Sequence, residues 1–413
     1  MLESIVLRDF RGYASLEVTF GRGPQLLWGP NASGKTSLIE AIVVLAWGRS
    51  HRTSTDAEMI RWNQAFARVE GRIANGDSVD GPHAGRAGGL ARSPEAEAAV
   101  AVGAADGSGP ARAGAETLEV VLMTAATGPR KRIRVNGIAR RASGLLGVLR
   151  IVVFAPEEML LVAGSPSLRR TAIDQLAGQR SAAYLRNLST YARVLQQRNG
   201  LLRAIREERA GRGELRFWNE MLVESGGAIV AERLALLEAL RGPVSAAHRE
   251  IAPEEGGGEG LVLRYETNAP GAAGETPRDA LARRLDETAE KEVWNGTTLV
   301  GPHRDDIVFE LAGRDLAGFA SRGQQRTAIL AFKLAELDLL TELDDRPPLL
   351  LLDDVFSELD PARRGHLVRR IAALPQSFVT TTTLEDLDPQ LRAEATSWAV
   401  IDGPGGVTLM GPA

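Results

Sequence analysis

Cysteine is absent from the 413 residues, which excludes disulfides and thiolate metal sites. No apolar run approaches the roughly 18–20 residues that a bilayer span needs. The densest runs, Ala41–Ala46 and Leu349–Leu352, are far shorter. Glu3, Arg8 and Asp9 interrupt the first apolar stretch, a pattern foreign to a secretory signal, so a cytoplasmic protein is expected. There is no excess of positive charge either: 49 Lys and Arg stand against 53 Asp and Glu, a net of −4. That argues against a protein coating nucleic acid with its whole surface, but not against a local basic face. Two stretches are candidates for phosphate contacts, the alternative being an ordinary charged face. One is the Arg130–Arg141 hairpin, with Lys131, Arg132, Arg134 and Arg140. The other is a helix carrying Arg180, Arg186, Arg193, Arg198, Arg203, Arg206 and Arg209.

With 44% apolar residues the chain can build a sizeable core, as two or three domains or one lobed unit. Leu16, Val18 and Phe20 alternate as in a strand, and Gln25–Trp28 is a second strand entering a Gly-Pro turn. A helix is expected over Lys35–Ala46, stopped at Gly48. Thr117–Met123, Arg132–Val135 and Ile151–Phe154 read as strands, with Asn136-Gly137 marking a hairpin. Residues 74–116 are Gly, Ala, Ser and Asp with few large apolar side chains, the composition of a mobile surface insertion. From Ser165-Pro166 the pattern turns helical, with one helix over Gln179–Arg209 and another from Leu215 to about Leu240. The last third returns to α/β character, and a single sheet assembled from both termini is expected. The expected units are 1–165, a helical lobe at 166–295, and 296–413.

Gly29-Pro30-Asn31-Ala32-Ser33-Gly34-Lys35-Thr36 fits the phosphate-loop pattern, with a strand before it and a helix after it. The glycines let backbone N–H groups curl around phosphate oxygens, and the helix N-terminus adds partial positive charge. Lys35 is placed to reach the terminal phosphates of ATP and Thr36 to ligate Mg²⁺. Leu349–Leu352 then Asp353-Asp354 is an apolar strand ending in two carboxylates. Taken alone this also fits a capped core strand. Beside a phosphate loop, Asp353 suits Mg²⁺ and Asp354 suits orienting or deprotonating a water.

Ser321-Arg322-Gly323-Gln324-Gln325-Arg326 precedes a long helix, making Ser321, Gly323 and Gln324 a second candidate anion site. Together with Asp353-Asp354 about thirty residues on, it resembles the signature motif of ABC-type ATPases. In that class the signature of one protomer closes over ATP held by its partner, so the resemblance implies a homodimer around two ATP molecules.

A narrower likeness follows. Asp9–Tyr13, the phosphate loop, Gly48–Arg52, Ser165–Arg170, Gln197–Asn199, Gly301–Asp306, Ser321–Arg326 and Leu351–Asp360 occur in the order found in RecF, a DNA recombination and repair family. The chain resembles that family over both ends and the middle. The likeness implies an ABC-type head, related to SMC heads, with an inserted helical lobe and no long coiled coil. It also implies ATP-driven dimerisation on gapped or junction DNA, slow hydrolysis that releases it, and RecA loading with RecO and RecR in repair and the SOS response. Asp354 stands where most ABC ATPases have Glu, a departure RecF shares, and Thr380–Thr383 where others carry a switch histidine. A shorter carboxylate and an uncharged hydroxyl both point to slow turnover. An ABC-transporter ATPase subunit and a non-hydrolysing clamp are the competing classes.

Arg11, Arg49, His51 and Arg52 are placed to reach phosphate, or to sit as solvated surface charge. Ser357–Asp360 resembles the loop that crosses the dimer interface, and Asp360 also fits a plain helix cap. His303, Asp305 and Asp306 hold one histidine without a second, a poor ligand set, so a structural or coupling role is expected.

Overall fold

The computed structural model describes residues 1–74, 115–124, 131–255, 260–344 and 346–411. Residues 75–114 of the expected insertion, and Arg130, lie outside the described residues.

Past its first turn, helix α1 (Lys35–Trp47) is apolar apart from Glu40, and Leu38–Trp47 are all buried. A helix with no polar face must be covered all round. Here two six-stranded sheets cover it. One is antiparallel, in the order β2 (Tyr13–Thr19), β1 (Leu2–Phe10), β4 (Phe66–Ala74), β5 (Ala115–Met123), β6 (Lys131–Val135), β7 (Ile138–Arg140). Its strands alternate as a one-face-buried sheet should: Ala67, Val69, Gly71 and Ile73 of β4 are buried, with half-buried residues between them.

The other sheet carries the chemistry. Its order is β15 (Gly406–Met410), β14 (Thr396–Gly403), β3 (Gly23–Trp28), β13 (Gln376–Thr381), β12 (Leu349–Leu352), β8 (Ile151–Phe154). β14 to β8 run parallel, and β15 pairs antiparallel at the edge. Leu349 and Leu351 join the core around α1, whereas Leu350 and Leu352 join a second core on the opposite face. Side chains alternate across a strand, so burial on both faces requires an unbroken apolar run.

The second core gathers α2 (Pro166–Arg180), α3 (Ala182–Arg206), α4 (Leu215–Ile251), α5 (Pro277–Asn295), α6 (Leu316–Phe319), α7 (Arg322–Thr341), α8 (Pro361–Ala372) and α9 (Pro389–Glu394). A third sheet, β11 (Arg314–Asp315), β10 (Asp306–Leu311), β9 (Leu261–Glu266), packs there as well.

Three expectations are corrected. The chain forms three sheets among the described residues, not one, although the parallel sheet does draw on both ends. The helix expected over Gln179–Arg209 is broken at Ser181, whose side chain accepts the Tyr184 N–H and so caps α3. The helix expected to stop near Leu240 runs on to Ile251 through Pro243. Proline removes one backbone bond there, but Leu240, Val244, Ala247 and Ile251 are buried on one face and hold the helix past it.

Candidate nucleotide site and the signature helix

β3 ends at Trp28, and the chain turns through Gly29 (φ 150°), Ala32 (φ 63°) and Gly34 (φ 108°) into α1. These angles suit glycine, and close neighbours reinforce the requirement. A Cβ on Gly34 would lie 2.8 Å from Val407 Cγ1, and one on Gly29 2.5 Å from the Val400 carbonyl oxygen. The β14–β15 hairpin therefore backs the loop. Tyr13 donates its hydroxyl to the Gly34 carbonyl at 3.1 Å and fixes the loop from the other side. Pro30, Asn31 and Ala32 are exposed at its crest. Ser33 Oγ is buried without a hydrogen-bond partner. Lys35 Nζ donates to the carbonyls of Gly29 (2.6 Å) and Pro30 (2.8 Å). Burial lowers its pKa, against the pull of Asp354 and Asp353.

The aspartates arrive by register. Leu352 sits between Phe154 and Val379 in parallel strands, and the Asp353 N–H donates to the Phe154 carbonyl at 2.9 Å. Thr36 Oγ1 donates to Asp353 Oδ1 at 3.0 Å, joining residues more than three hundred positions apart. Thr380 Oγ1 donates to the same carboxylate oxygen at 2.8 Å and accepts the Asp354 N–H at 2.9 Å. Asp354 itself is exposed, at φ 53°. Non-glycine residues held there often mark functional positions. The hydroxyl and carboxylate of Thr36 and Asp353 are hard oxygen donors side by side, and so fit Mg²⁺.

Of Thr380–Thr383, Thr380 is buried and braces both aspartates from behind.

Ser321 caps α7: its Oγ accepts the Gln324 N–H at 3.2 Å, and Gln324 Oε1 accepts the Ser321 N–H at 3.0 Å. The Gly323 carbonyl accepts from Thr327 Oγ1 at 3.1 Å. Ser321, Gly323 and Gln324 thus form a closed, largely surface cap, whereas residues 29–36 and 353–354 meet in one place.

Several other sequence candidates turn inward. Glu40, fully buried on α1, accepts from Arg11 through two nitrogens (2.8 and 2.7 Å) and from Ser50 Oγ (2.5 Å). Burial opposes its ionisation, but these bonds prevail and hold its carboxyl below the usual range. Arg52 approaches Glu40 at 3.6 Å and Glu157 at 3.7 Å. Both ring nitrogens of His51 are buried, and burial lowers its pKa. Arg49 is exposed.

The motifs Ser165–Arg170 and Gly301–Asp306 dock on each other. Arg169 forks onto Asp306 at 2.8 Å twice, and Arg170 donates to the Asp305 carbonyl at 2.7 Å. Tyr265 donates to Asp305 at 2.6 Å, and Tyr191 pairs with His303 Nδ1 at 2.7 Å. No cluster of potential metal ligands occurs among the described residues. Asp360 caps α8 through the Arg363 N–H at 3.0 Å.

Of the basic candidates, Arg198 is excluded from DNA. It is buried, bonded to Glu292 (2.6 Å), Thr298 (2.8 Å) and Asn219 (2.8 Å). Arg132, Arg140, Arg141, Arg186, Arg193 and Arg203 are exposed. No helix among the described residues is long and apolar enough to cross a membrane.

The chain is 38% identical over 411 residues to the DNA replication and repair protein RecF of Geobacillus kaustophilus, covering 97% of this chain and 98% of the relative. It is 40% identical over 391 residues to the RecF of Symbiobacterium thermophilum, covering 94% and 92%. The chain belongs to the RecF family. A solved structure of the recombination mediator RecF with ATP, in the RecFOR pathway, superposes with a TM-score of 0.82 at 29% identity, covering all of this chain and 97% of that one. A Smc head domain derived from Pyrococcus furiosus shares the fold alone, at 17% identity and a TM-score of 0.51, over 100% and 96%. A family model described as an AAA domain matches residues 4–87. The RecF fold is thus an ABC-type head of mixed α/β build.

Sequence reasoning missed Glu40 and Val407, the loop-fixing role of Tyr13 and the bracing role of Thr380. Each acts through contacts spanning tens to hundreds of residues, which no local pattern displays.

Proposed function

We propose that this chain is an ATP-dependent DNA-binding switch of recombinational repair and replication restart. The observation that carries the reading is the convergence of Thr36, Asp353 and Thr380 beneath the Gly29–Thr36 loop, within a RecF-family fold. In this reading Gly29, Pro30, Asn31, Ala32, Ser33, Gly34 and Lys35 cradle the phosphates of ATP. Thr36 and Asp353 hold Mg²⁺, which when bound neutralises phosphate charge. Lys35 leaves its carbonyl partners for the terminal phosphates, and Asp354 orients the attacking water. Ser321, Gly323 and Gln324 complete the site on a second copy of the chain, so that ATP reports dimerisation. The α7 cap supports this, since its helix N-terminus is exposed. Residues 1–165 and 296–413 then act as the ATPase lobe and 166–295 as the helical lobe.

The DNA is gapped or a single-strand/duplex junction, and the outcome is loading of RecA with RecR and RecO, serving the SOS response in the cytoplasm. ATP turnover is slow and DNA-stimulated. The shorter carboxylate of Asp354 and the inward-facing Thr380 both support a timer rather than a motor.

The test is binding to gapped, duplex and single-stranded DNA with ATP, ADP and no nucleotide, alongside sedimentation. The expected result is an ATP-specific dimer that prefers gapped DNA, with affinity falling steeply in salt. Lys35→Arg and Ser321→Arg should lose it. A monomer in all nucleotide states at micromolar protein, or DNA binding indifferent to ATP, overturns the reading.

A further inference from the structure

Lys333 is buried on α7, about three turns past the exposed Ser321 cap. Its ammonium lies 2.7 Å from Glu158 Oε2 and 3.1 Å from Glu336 Oε2. Glu336 belongs to the same helix, but Glu158 does not. It sits on the short 3-10 turn Pro156–Leu160, which leaves β8 directly after Phe154. Phe154 is the residue whose carbonyl receives the Asp353 N–H. One buried ion pair therefore bolts the signature helix to the strand end that positions Asp353.

Next to Glu158, Glu157 turns the other way and approaches Arg52 at 3.7 Å, and Arg52 approaches Glu40 on α1 at 3.6 Å. A single turn thus reaches the helix that follows the phosphate loop through Arg52 on one side and meets the signature helix directly on the other. The two arms differ in strength. Arg52 and Glu157 keep 36% and 45% of their side-chain surface exposed, so water screens that arm. Lys333 and Glu158 keep 6% and 16%, so theirs is a low-dielectric contact with strict geometry. Burial opposes the charge on Lys333, yet the two carboxylates hold its pKa above the ordinary value. A buried pair adds little net stability compared with an apolar replacement. Its geometric demand is what distinguishes it: α7 cannot tilt without moving Glu158 or breaking the pair.

We propose that Lys333, through Glu158, is a positioning residue that sets the tilt of the signature helix according to the state of the nucleotide-side sheet edge. This rests on the reading of Ser321 as the cap that closes over a partner's ATP. The 3-10 turn shifts with the nucleotide-side strand ends, and α7 follows as a rod.

The experiment uses the full chain carrying Ser321→Arg, which on that reading should block dimerisation, and compares hydrogen exchange over 321–341 with and without ATP. Variants are Glu158→Gln, Lys333→Met and the two together, each with ATP affinity and melting temperature measured. The same substitutions are made with Ser321 intact for sedimentation. ATP should alter exchange along α7 when the pair is intact. Glu158→Gln should shrink that response at least about threefold and keep ATP affinity within about twofold. The double variant should lose no more than the worse single one, because the two residues act as a unit. An α7 response to ATP that is absent with the pair intact, or unchanged in Glu158→Gln and Lys333→Met, overturns the proposal. If no protein dimerises with ATP but the α7 response still depends on Lys333, the dimer reading fails and the positioning role stands. If the chain with Ser321 dimerises and Glu158→Gln alters neither readout, the positioning role fails alone.

Discussion

Thr380 Oγ1 stands 2.8 Å from Asp353 Oδ1 and 2.9 Å from the Asp354 N–H, so one buried hydroxyl serves both aspartates. Replacing it by Val keeps the shape, strands the Asp354 N–H and leaves Asp353 Oδ1 with the Thr36 hydroxyl alone. The expected cost is about 1–3 kcal/mol in unfolding free energy, with slower ATP turnover. Thr380→Ser should restore both. Denaturant unfolding and phosphate release measure the pair of effects; a Val variant equal to the parent in both would remove Thr380 from the site.

Asp354 is expected to matter for hydrolysis alone. Asn tolerates the left-handed conformation nearly as well as Asp, so Asp354→Asn should fold normally at its φ of 53°. ATP binding should persist while steady-state phosphate release falls at least about tenfold. Unchanged release means that another group handles the water.

The phosphate loop has no room at Gly34, where φ is 108° and a Cβ would stand 2.8 Å from Val407. Gly34→Ala should cost roughly 1–3 kcal/mol in backbone strain and weaken ATP binding at least about tenfold. Adding Val407→Ala removes the clash but not the backbone strain, so it should restore only part of the affinity. Equilibrium binding of a fluorescent ATP analogue checks this; full restoration would show that the clash alone mattered.

The arginine helix should split by burial. Arg198→Met leaves Glu292 buried without its partner and should cost about 3–5 kcal/mol. Exposed Arg193→Ala should change stability by less than about 0.5 kcal/mol. If Arg193 meets DNA phosphate, its loss lowers the salt dependence of binding by about one unit of slope. A slope that does not move returns Arg193 to the solvated face.

Acid should loosen the joint between Ser165–Arg170 and Gly301–Asp306. Burial lowers His303 to a pKa of about 4 from 6.5. The folded chain therefore binds fewer protons than the unfolded chain between those values, and stability rises with pH across that window. It is complete above pH 6.5 and falls by up to roughly 3 kcal/mol as pH drops towards 4. His303→Gln should flatten that part of the stability curve, read by denaturant unfolding from pH 4 to 7. An unaltered curve would assign the acid sensitivity to other groups.

Much of this molecule is legible along the chain because its signals are local. The Gly29–Thr36 spacing, the Ser321 cap with Gln324 and the unbroken Leu349–Leu352 run each carry their cause within a few residues. Helix limits were less legible. Ser181 breaks a helix that periodicity joins, and Pro243 fails to end one, because capping and burial outweighed propensity.

The sequence by itself determined the nucleotide loop, the carboxylate pair, the signature cap and the family, all written in short contiguous motifs. Only the tertiary structure decided what surrounds them. It set Thr380 behind Asp353 and Asp354, Arg198 against Glu292, Tyr13 under Gly34 and Lys333 against Glu158. Those partners come from distant strands and helices, brought together by burying two apolar faces of one parallel sheet. Burial then dictates pairing, since a polar group removed from water must find its partner inside the fold.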